Sequence, residues 1–317
     1  MKEEIAMQTG EEAGAHASKL TLGTVQLGIP YGIRNRDGMP SEEDSLALLQ
    51  EAWDGGVRSY DTASVYGQSE TILGKFFDGK SPLLTTKIKI HPEPGATPST
   101  LERAIRGEIE SSLKRLNRSS VPIVMLHNTD AMESHGAAVT AAFRAAVREG
   151  LIGQAGISVA HNGEDEYRML ERYLRDDAFG AIQLPMNVFD HRPLAGGRFR
   201  ALATSGKTLF LRSVFLQGLL YMNEEEVPDK LREARKPIAE LRGLSERYGV
   251  PVAQMAVSFV RDMDGVHSLV IGAETIPQVR GNIALIGGPP LPDELREEIL
   301  VRFRDVPEKV ITPHLWN

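Results

Sequence analysis

Eight short runs of β-forming residues recur along the chain, and a segment with helical periodicity follows each of them. Most of the runs are nearly continuous apolar stretches, which is typical of parallel strands that are buried on both faces. No linker separates the eight β/α units, so the pattern predicts a single-domain α/β fold, the (β/α)8 TIM barrel. The runs begin at Leu20, Val57, Leu83, Val121, Gly153, Ala181, Thr208 and Ser268.

A doubly wound parallel sheet is the alternative arrangement of repeating β/α units. Such a sheet usually carries a G-x-G-x-x-G motif after its first strand, and this chain contains no such motif. The barrel is therefore predicted over residues 19–317, with a C-terminal helix and tail. Residues 1–18 lack the apolar core of a signal peptide and are predicted to form a flexible leader.

Composition narrows the classes of function. The chain has no cysteine, which excludes disulfides, thiolate zinc sites and a cysteine nucleophile. Its net charge is −7 with scattered basic residues, so no nucleic-acid partner is predicted. No apolar stretch approaches the roughly 20 residues of a membrane helix. No H-E-x-x-H spacing points to a metal site. We expect a cytoplasmic enzyme that acts on a small molecule.

Polar residues stand at the ends of three successive predicted strands. The second strand ends at Asp61, with Tyr66 in the loop beyond it, the third carries Lys87, and the fourth ends at His127. Catalytic side chains of a TIM barrel come from the C-terminal ends of its strands. The four side chains are therefore predicted to meet at one mouth of the barrel, although each alone could be a structural residue.

The chemistry of these four groups is complementary. A free phenol has a pKa of about 10, which makes it a poor proton donor at neutral pH without help. An adjacent ammonium stabilises the phenolate, and a carboxylate keeps that ammonium charged and in place. An imidazole can orient a carbonyl oxygen beside the phenol. The set can deliver a proton as a hydride arrives, and a cofactor must supply the hydride.

The segment DTASVYGQSETILG, residues 61–74, is similar to the D-x-A-x-x-Y-G-x-S-E-x-x-L-G signature of the aldo-keto reductases. These are NADPH-dependent (β/α)8 oxidoreductases, and the chain resembles them over residues of about 19 to 286. The resemblance implies that Asp61, Tyr66, Lys87 and His127 form the family's catalytic tetrad. It also implies a carbonyl or alcohol substrate and a tyrosine proton donor.

The same resemblance implies a set of cofactor-binding positions. Thr24 lies near the nicotinamide, Ser158 and Gln183 hold its carboxamide, and segments of the seventh and eighth strands follow the rest of the cofactor. The positions implied in those two segments are Arg212, Ser213, Gly218, Gly272, Ala273, Gln278 and Asn282.

Several residues depart from the family pattern near the cofactor phosphates. Glu274 stands where a small or basic residue often meets the 2′-phosphate, and the loop NEEEVPDK after the seventh strand is acidic. A buried phosphate needs a nearby cation, for which Arg212, Arg280 and Lys230 are the candidates. NADP is the predicted cofactor, with NAD as the alternative.

Specificity is predicted less directly. Asn128, beside His127, is the predicted substrate-binding residue, and His161, Asn187 and Trp316 are further candidates for the pocket. The low aromatic content of 6% favours a small polar or sugar-like carbonyl substrate. Two other functions remain open: a lyase in which Lys87 forms a Schiff base, and a non-catalytic barrel subunit that senses a cofactor.

Overall fold

Eight parallel strands close into a barrel in sequence order, and β1 pairs with both β2 and β8. The structure is a computed structural model that describes residues 19–35 and 38–316. It confirms the predicted single-domain (β/α)8 barrel, whereas the predicted leader, residues 1–18, lies outside the described residues. The strands are β1 Leu20–Gly23, β2 Ser59–Asp61, β3 Leu83–Ile88, β4 Val121–Leu126, β5 Ile152–Ser158, β6 Phe179–Pro185, β7 Thr208–Arg212 and β8 Ser268–Gly272.

Helices alternate with the strands and surround the barrel. The first begins at a capped end, where the Ser41 hydroxyl accepts the Asp44 backbone N–H. None of the helices in the described part of the chain has the length and apolar character that crossing a bilayer requires. They are α1 Glu42–Asp54, α2 Ser69–Phe76, α3 Pro98–Arg115, α4 Asp130–Arg148, α5 Glu164–Tyr173, α6 Arg198–Ala203, α7 Arg235–Tyr248, α8 Val252–Arg261, α9 Ile276–Ile286, α10 Asp293–Arg302 and α11 Glu308–Ile311.

Side chains inside the barrel form a small apolar cluster, separate from the larger core between strands and helices. Because successive residues of a strand point to opposite faces, every second residue of each strand faces the interior. The interior cluster contains Leu83 of β3 and Met125 of β4. Two-residue steps from these positions lead along the same face to Lys87 and His127. The alternation thus points both side chains into the barrel, and their positions late in the strands place them at its C-terminal mouth.

The C-terminal segment returns to this mouth after α10. The short helix α11 is followed by a 3-10 turn, Pro313–Trp316, whose indole N–H donates to the Lys309 carbonyl oxygen at 2.7 Å. The Arg192 guanidinium, in the loop after β6, donates to the Ile311 carbonyl oxygen at 3.4 Å. These contacts fix the end of the chain beside the loops that follow β5 and β6.

Candidate active site

A cavity of about 1020 Å³ opens at the C-terminal ends of the strands. Asp61, Tyr66 and His127 line it, and Lys87 lies buried beside them with 1% of its surface exposed. The structure therefore brings the four strand-end residues singled out from the sequence to one place, as the geometry of a parallel barrel requires.

Lys87 forms a buried ion pair with Asp61. Its Nζ lies 2.5 Å from Asp61 Oδ1 and donates a second hydrogen bond to the Thr62 carbonyl oxygen at 2.9 Å. An ammonium removed from water in this way is costly unless it is paired and hydrogen-bonded, and both conditions are met. The pair therefore keeps a fixed positive charge directly beneath the cavity.

A chain of hydrogen bonds holds the other side of the Asp61 carboxylate. Gln183 Nε2 donates to Asp61 Oδ2 at 2.7 Å, and Ser158 Oγ donates to Gln183 Oε1 at 3.5 Å. Both carboxylate oxygens thus have a donor, which fixes the orientation of Asp61 relative to Lys87. The sequence alone did not predict that Gln183 contacts the tetrad.

Tyr66 reaches the cavity from the loop after β2, and its ring contacts both neighbouring groups of the tetrad. The Lys87 Nζ lies 5.2 Å from the Tyr66 ring centroid. The centroid of the His127 ring is 5.9 Å away, with the two rings nearly perpendicular. The phenol therefore lies between a cation that can stabilise its anion and an imidazole that can share a bound oxygen.

Two glycines allow the loop that carries Tyr66 to pack against the loop after β1. A Cβ atom at Gly28 would lie 1.7 Å from the Tyr66 carbonyl oxygen, and one at Gly67 would lie 2.2 Å from the Gly28 carbonyl oxygen. Gly67 also has a φ of +51°, a conformation that residues with side chains rarely adopt. Backbone contact at these two positions thus fixes where Tyr66 enters the cavity.

His127 is an electrically neutral imidazole at physiological pH. Burial, with smaller contributions from the positive charges of Lys87, Arg212 and Lys89, lowers the pKa of His127 from 6.5 to about 2. Its buried Nδ1 has no hydrogen-bond partner among the described residues. A neutral ring in this position can donate a hydrogen bond to a bound oxygen.

The lowered pKa of His127 should make the protein less stable in mild acid. Below pH 6.5 the unfolded chain binds a proton at His127 that the folded chain excludes, so the free energy of unfolding falls as pH falls. The expected loss is ~2 kcal/mol between pH 6 and pH 4.5, about 1.4 kcal/mol per pH unit. Urea unfolding of the wild type and of His127→Asn at both pH values measures it. An equal pH dependence in the two proteins would contradict the assignment.

Most of the predicted cofactor residues lie around this cavity. Ser158, Gln183 and Ala273 are the exceptions, because they are buried behind the wall that the others form. Thr24 is at the cavity, but its hydroxyl donates to the Asp61 carbonyl oxygen at 2.9 Å. The lining positions are Thr24, Arg212, Ser213, Gly218, Gly272, Gln278 and Asn282.

The part of the cavity between β7, β8 and the loop after β1 suits an elongated polar ligand such as a nicotinamide dinucleotide. Arg34 and Arg212 provide positive charge along the lining, and Gln278 and Asn282 provide amide groups. The Arg34 side chain lies against Gly218, where an added Cβ would meet its carbons at 3.6 Å. Cations for a diphosphate and amides for a base or ribose are therefore both present.

Several sequence-predicted residues lie elsewhere. The Asn128 amide accepts from the Ile90 N–H at 2.9 Å and donates to the Ile90 carbonyl oxygen at 2.7 Å, so it joins two loops and does not line the cavity. Asn187 and Trp316 are buried in internal contacts. Arg280, outside the lining, pairs with Glu51 at 2.7 Å.

His161 does line the cavity, as predicted from the sequence, together with residues that the sequence analysis missed. Lys89 has a signal in the sequence, since it follows Lys87 by two residues and so shares its side of the strand. The C-terminal residues have no such signal. Among the lining residues missed are Tyr31, Arg34, Val65, Lys89, Arg192, Phe215, Gln217, Tyr221, Thr312 and His314. In the part of the chain described, no group of three or more His, Asp or Glu side chains could hold a metal ion.

Comparison with known proteins extends these observations. Residues 19–299 match the model of the aldo/keto reductase family. A D-threo-aldose 1-dehydrogenase from a Pseudomonas species is 26% identical over 281 residues, which cover 76% of this chain and 83% of that protein. An aldo-keto reductase from Bacillus halodurans in its holo form has a TM-score of 0.71 at 23% identity, covering 90% of this chain and 92% of that one. A Klebsiella pneumoniae aldo-keto reductase in complex with NADPH has a TM-score of 0.67 at 18% identity, covering 90% and 91%.

Proposed function

Because the chain belongs to the aldo/keto reductase family, we propose that it interconverts a carbonyl compound and an alcohol, with a nicotinamide dinucleotide as cofactor and Tyr66 as proton donor. The observation that carries the proposal is the buried Lys87–Asp61 ion pair, 2.5 Å long, directly beside the Tyr66 ring at the cavity. A binding site alone has no need of a buried cation held against a phenol, whereas a proton donor does.

Each residue of the tetrad then has a distinct task. A bound reduced dinucleotide supplies the hydride that reduces the carbonyl carbon. Tyr66 donates its phenolic proton to the carbonyl oxygen, and the Lys87 ammonium stabilises the phenolate that results. Asp61 holds Lys87 in place. His127, being neutral, donates a hydrogen bond that orients the carbonyl oxygen. In alcohol oxidation the same groups act in reverse.

NADP is the dinucleotide we propose, with NAD as the alternative. The proposal of NADP is supported by the Klebsiella pneumoniae protein of similar fold, which was solved with NADPH. The observation that favours NAD is Glu274, an acidic residue in the cavity lining, whose Oε1 accepts from Asn35 Nδ2 at 3.1 Å. A carboxylate suits a ribose 2′-hydroxyl and repels a 2′-phosphate.

Replacing Glu274 with glutamine should strengthen NADPH binding. The amide keeps an oxygen that can accept from Asn35 but removes the negative charge that opposes a 2′-phosphate. We expect the dissociation constant of NADPH to fall by about 3- to 10-fold, and that of NADH to change less. Fluorescence titration measures both constants. Glu102→Gln, at an exposed position on α3, is the control. An equal effect on the two dinucleotides would show that Glu274 does not face the 2′-position.

For the substrate we propose a small polar or sugar-like carbonyl compound. The relative from Pseudomonas is named as an aldose dehydrogenase, which supports a hydroxyl-rich substrate. Charged side chains, among them Lys89, Arg192 and Arg212, also line the cavity and can interact with a polar substrate. A steroid or polycyclic ketone, by contrast, would need a largely apolar pocket.

Binding and turnover measured on the same protein test the proposal. NADPH and NADH are titrated first, and a panel of aldehydes, ketones and sugars is then screened with the dinucleotide that binds more tightly. We expect reduction of polar carbonyl compounds. Tight dinucleotide binding without turnover across the panel would instead support the cofactor-sensing subunit.

The Schiff-base lyase has less support. Lys87 Nζ is already engaged by Asp61 and the Thr62 carbonyl oxygen, and the residue is 1% exposed. A lysine nucleophile needs a neutral amine that can reach the substrate. Borohydride trapping with a carbonyl substrate, followed by mass spectrometry, should leave Lys87 unmodified.

A further inference from the structure

Basic side chains collect on one side of the cavity. Lys89 follows β3, His161 follows β5, and His314 belongs to the C-terminal turn, and all three are exposed and line the cavity. The His161 and His314 rings lie 3.9 Å apart between centroids and are tilted by 46°. Lys89 and Arg212 both act electrostatically on His127, and Arg212 also acts on His161. This basic cluster is therefore adjacent to the tetrad.

The side chains of the basic cluster make no hydrogen bond or ion pair with the described residues. Within residues 19–35 and 38–316, neither imidazole has a hydrogen-bonded partner, and Lys89 has neither a hydrogen bond nor an ion pair. The neighbouring Arg212 donates three of its five N–H bonds, to Ser213 Oγ and to the carbonyl oxygens of residues 159 and 160. Donors exposed to one cavity without acceptors are available to a ligand.

Acidic groups do not neutralise this side of the cavity. The acidic residues of the lining are Asp61 and Glu274. Asp61 is paired with Lys87, and Glu274 follows β8, on the side where the loops after β7 and β1 meet. The carboxylates of Glu166 and Asp165 act on His161 electrostatically; Glu166 accepts the backbone N–H groups of residues 160, 161 and 163, and Asp165 is exposed and outside the cavity lining. Lys89 and Arg212 supply positive charge to this side of the cavity, in a chain of net charge −7.

We propose that the substrate carries an anionic group, a carboxylate or a phosphate, and that Lys89, His161 and His314 bind it while the tetrad binds the carbonyl. This inference rests on the proposed function and names its substrate class. An ammonium and imidazole N–H groups that line one cavity are suited to binding an oxyanion. The resulting substrate is a polar aldehyde or ketone with a second, charged end.

Cofactor phosphates are a less suitable ligand for this cluster. The predicted cofactor positions in the lining, apart from Thr24, come from β7, β8 and the segments that follow them. Lys89 and His161 follow β3 and β5, each at least two strands away from β7 and β8 around the closed barrel. The C-terminal turn reaches the cavity next to the loop after β5, where the two imidazoles meet. The basic cluster therefore lies in the part of the cavity that is left for the substrate.

Matched pairs of aldehydes test the proposal. The first pair is 4-carboxybenzaldehyde and the uncharged, nearly isosteric 4-formylbenzamide, and the second is glyceraldehyde 3-phosphate and glyceraldehyde. We expect kcat/KM for the charged member of at least one pair to exceed that of its neutral partner by 10-fold or more. Preference in the first pair identifies a carboxylate, and preference in the second identifies a phosphate.

Substitutions test which residues cause the preference for charged over neutral substrates. In Lys89→Gln combined with His161→Gln and His314→Gln, the ratio of kcat/KM between charged and neutral substrates should fall towards one. Lys114→Gln and His91→Gln, at exposed positions outside the cavity lining, are the controls. A ratio near one in the wild type, or a preference that survives the triple substitution, would overturn the anion site. No turnover of any aldehyde would overturn the proposed function, and the anion site with it.

Discussion

Tyr66→Phe is expected to lower kcat for carbonyl reduction by about 10²- to 10⁴-fold, the range that general acid catalysis contributes. The phenyl ring keeps the contacts with Lys87 and His127 but has no proton to give. Dinucleotide binding should remain nearly unchanged, because the substitution removes one oxygen and leaves the fold intact. Steady-state kinetics and fluorescence titration of the same preparation measure the two effects separately.

A second tyrosine of the cavity provides the control for Tyr66. Tyr221 lines the same cavity and is 38% exposed, and Tyr221→Phe removes the same atom outside the tetrad. We expect this variant to retain kcat within about threefold of the wild type, a change that corresponds to under 1 kcal/mol. Full activity in Tyr66→Phe would exclude Tyr66 as the proton donor, whichever result the control gives.

Lys87→Met should reduce both activity and stability. The substitution leaves Asp61, which is 4% exposed, as a buried carboxylate whose remaining side-chain donor is Gln183. Breaking a buried ion pair on one side costs about 3–5 kcal/mol of folding free energy. Activity should fall by about 10²-fold or more, because the cation that stabilises the phenolate is lost. Urea unfolding and steady-state kinetics measure the two losses.

A double variant separates the structural role of Lys87 from its chemical one. Asp61→Asn in the Lys87→Met background removes the unpaired charge, and its amide can still be hydrogen-bonded by Gln183. We expect most of the lost stability to return while turnover stays low. If turnover returned along with stability, Lys87 would act by supporting the fold, and its role toward Tyr66 would be wrong.

The sequence predicted the barrel and the position of the tetrad for reasons that are local. Apolar runs of strand length locate the eight strands. The alternation of side chains along β3 and β4 places Lys87 and His127 on the face that points into the barrel. Closure of a parallel barrel then brings neighbouring strand ends together, so residues far apart in sequence meet without further information. The match to the aldo/keto reductase family over residues 19–299 agrees with this reading.

Tertiary structure alone decided what surrounds the tetrad. The bond from Gln183 to Asp61 crosses the barrel interior, and Asn128 turns to the Ile90 backbone although it adjoins His127. His314 reaches His161 because α10 and α11 carry the chain end back to the barrel mouth. Such contacts depend on the long-range packing of loops, and no periodic pattern in the sequence predicts that packing. The sequence therefore determined which four side chains meet at the barrel mouth, and the tertiary structure decided which other side chains line the cavity around them.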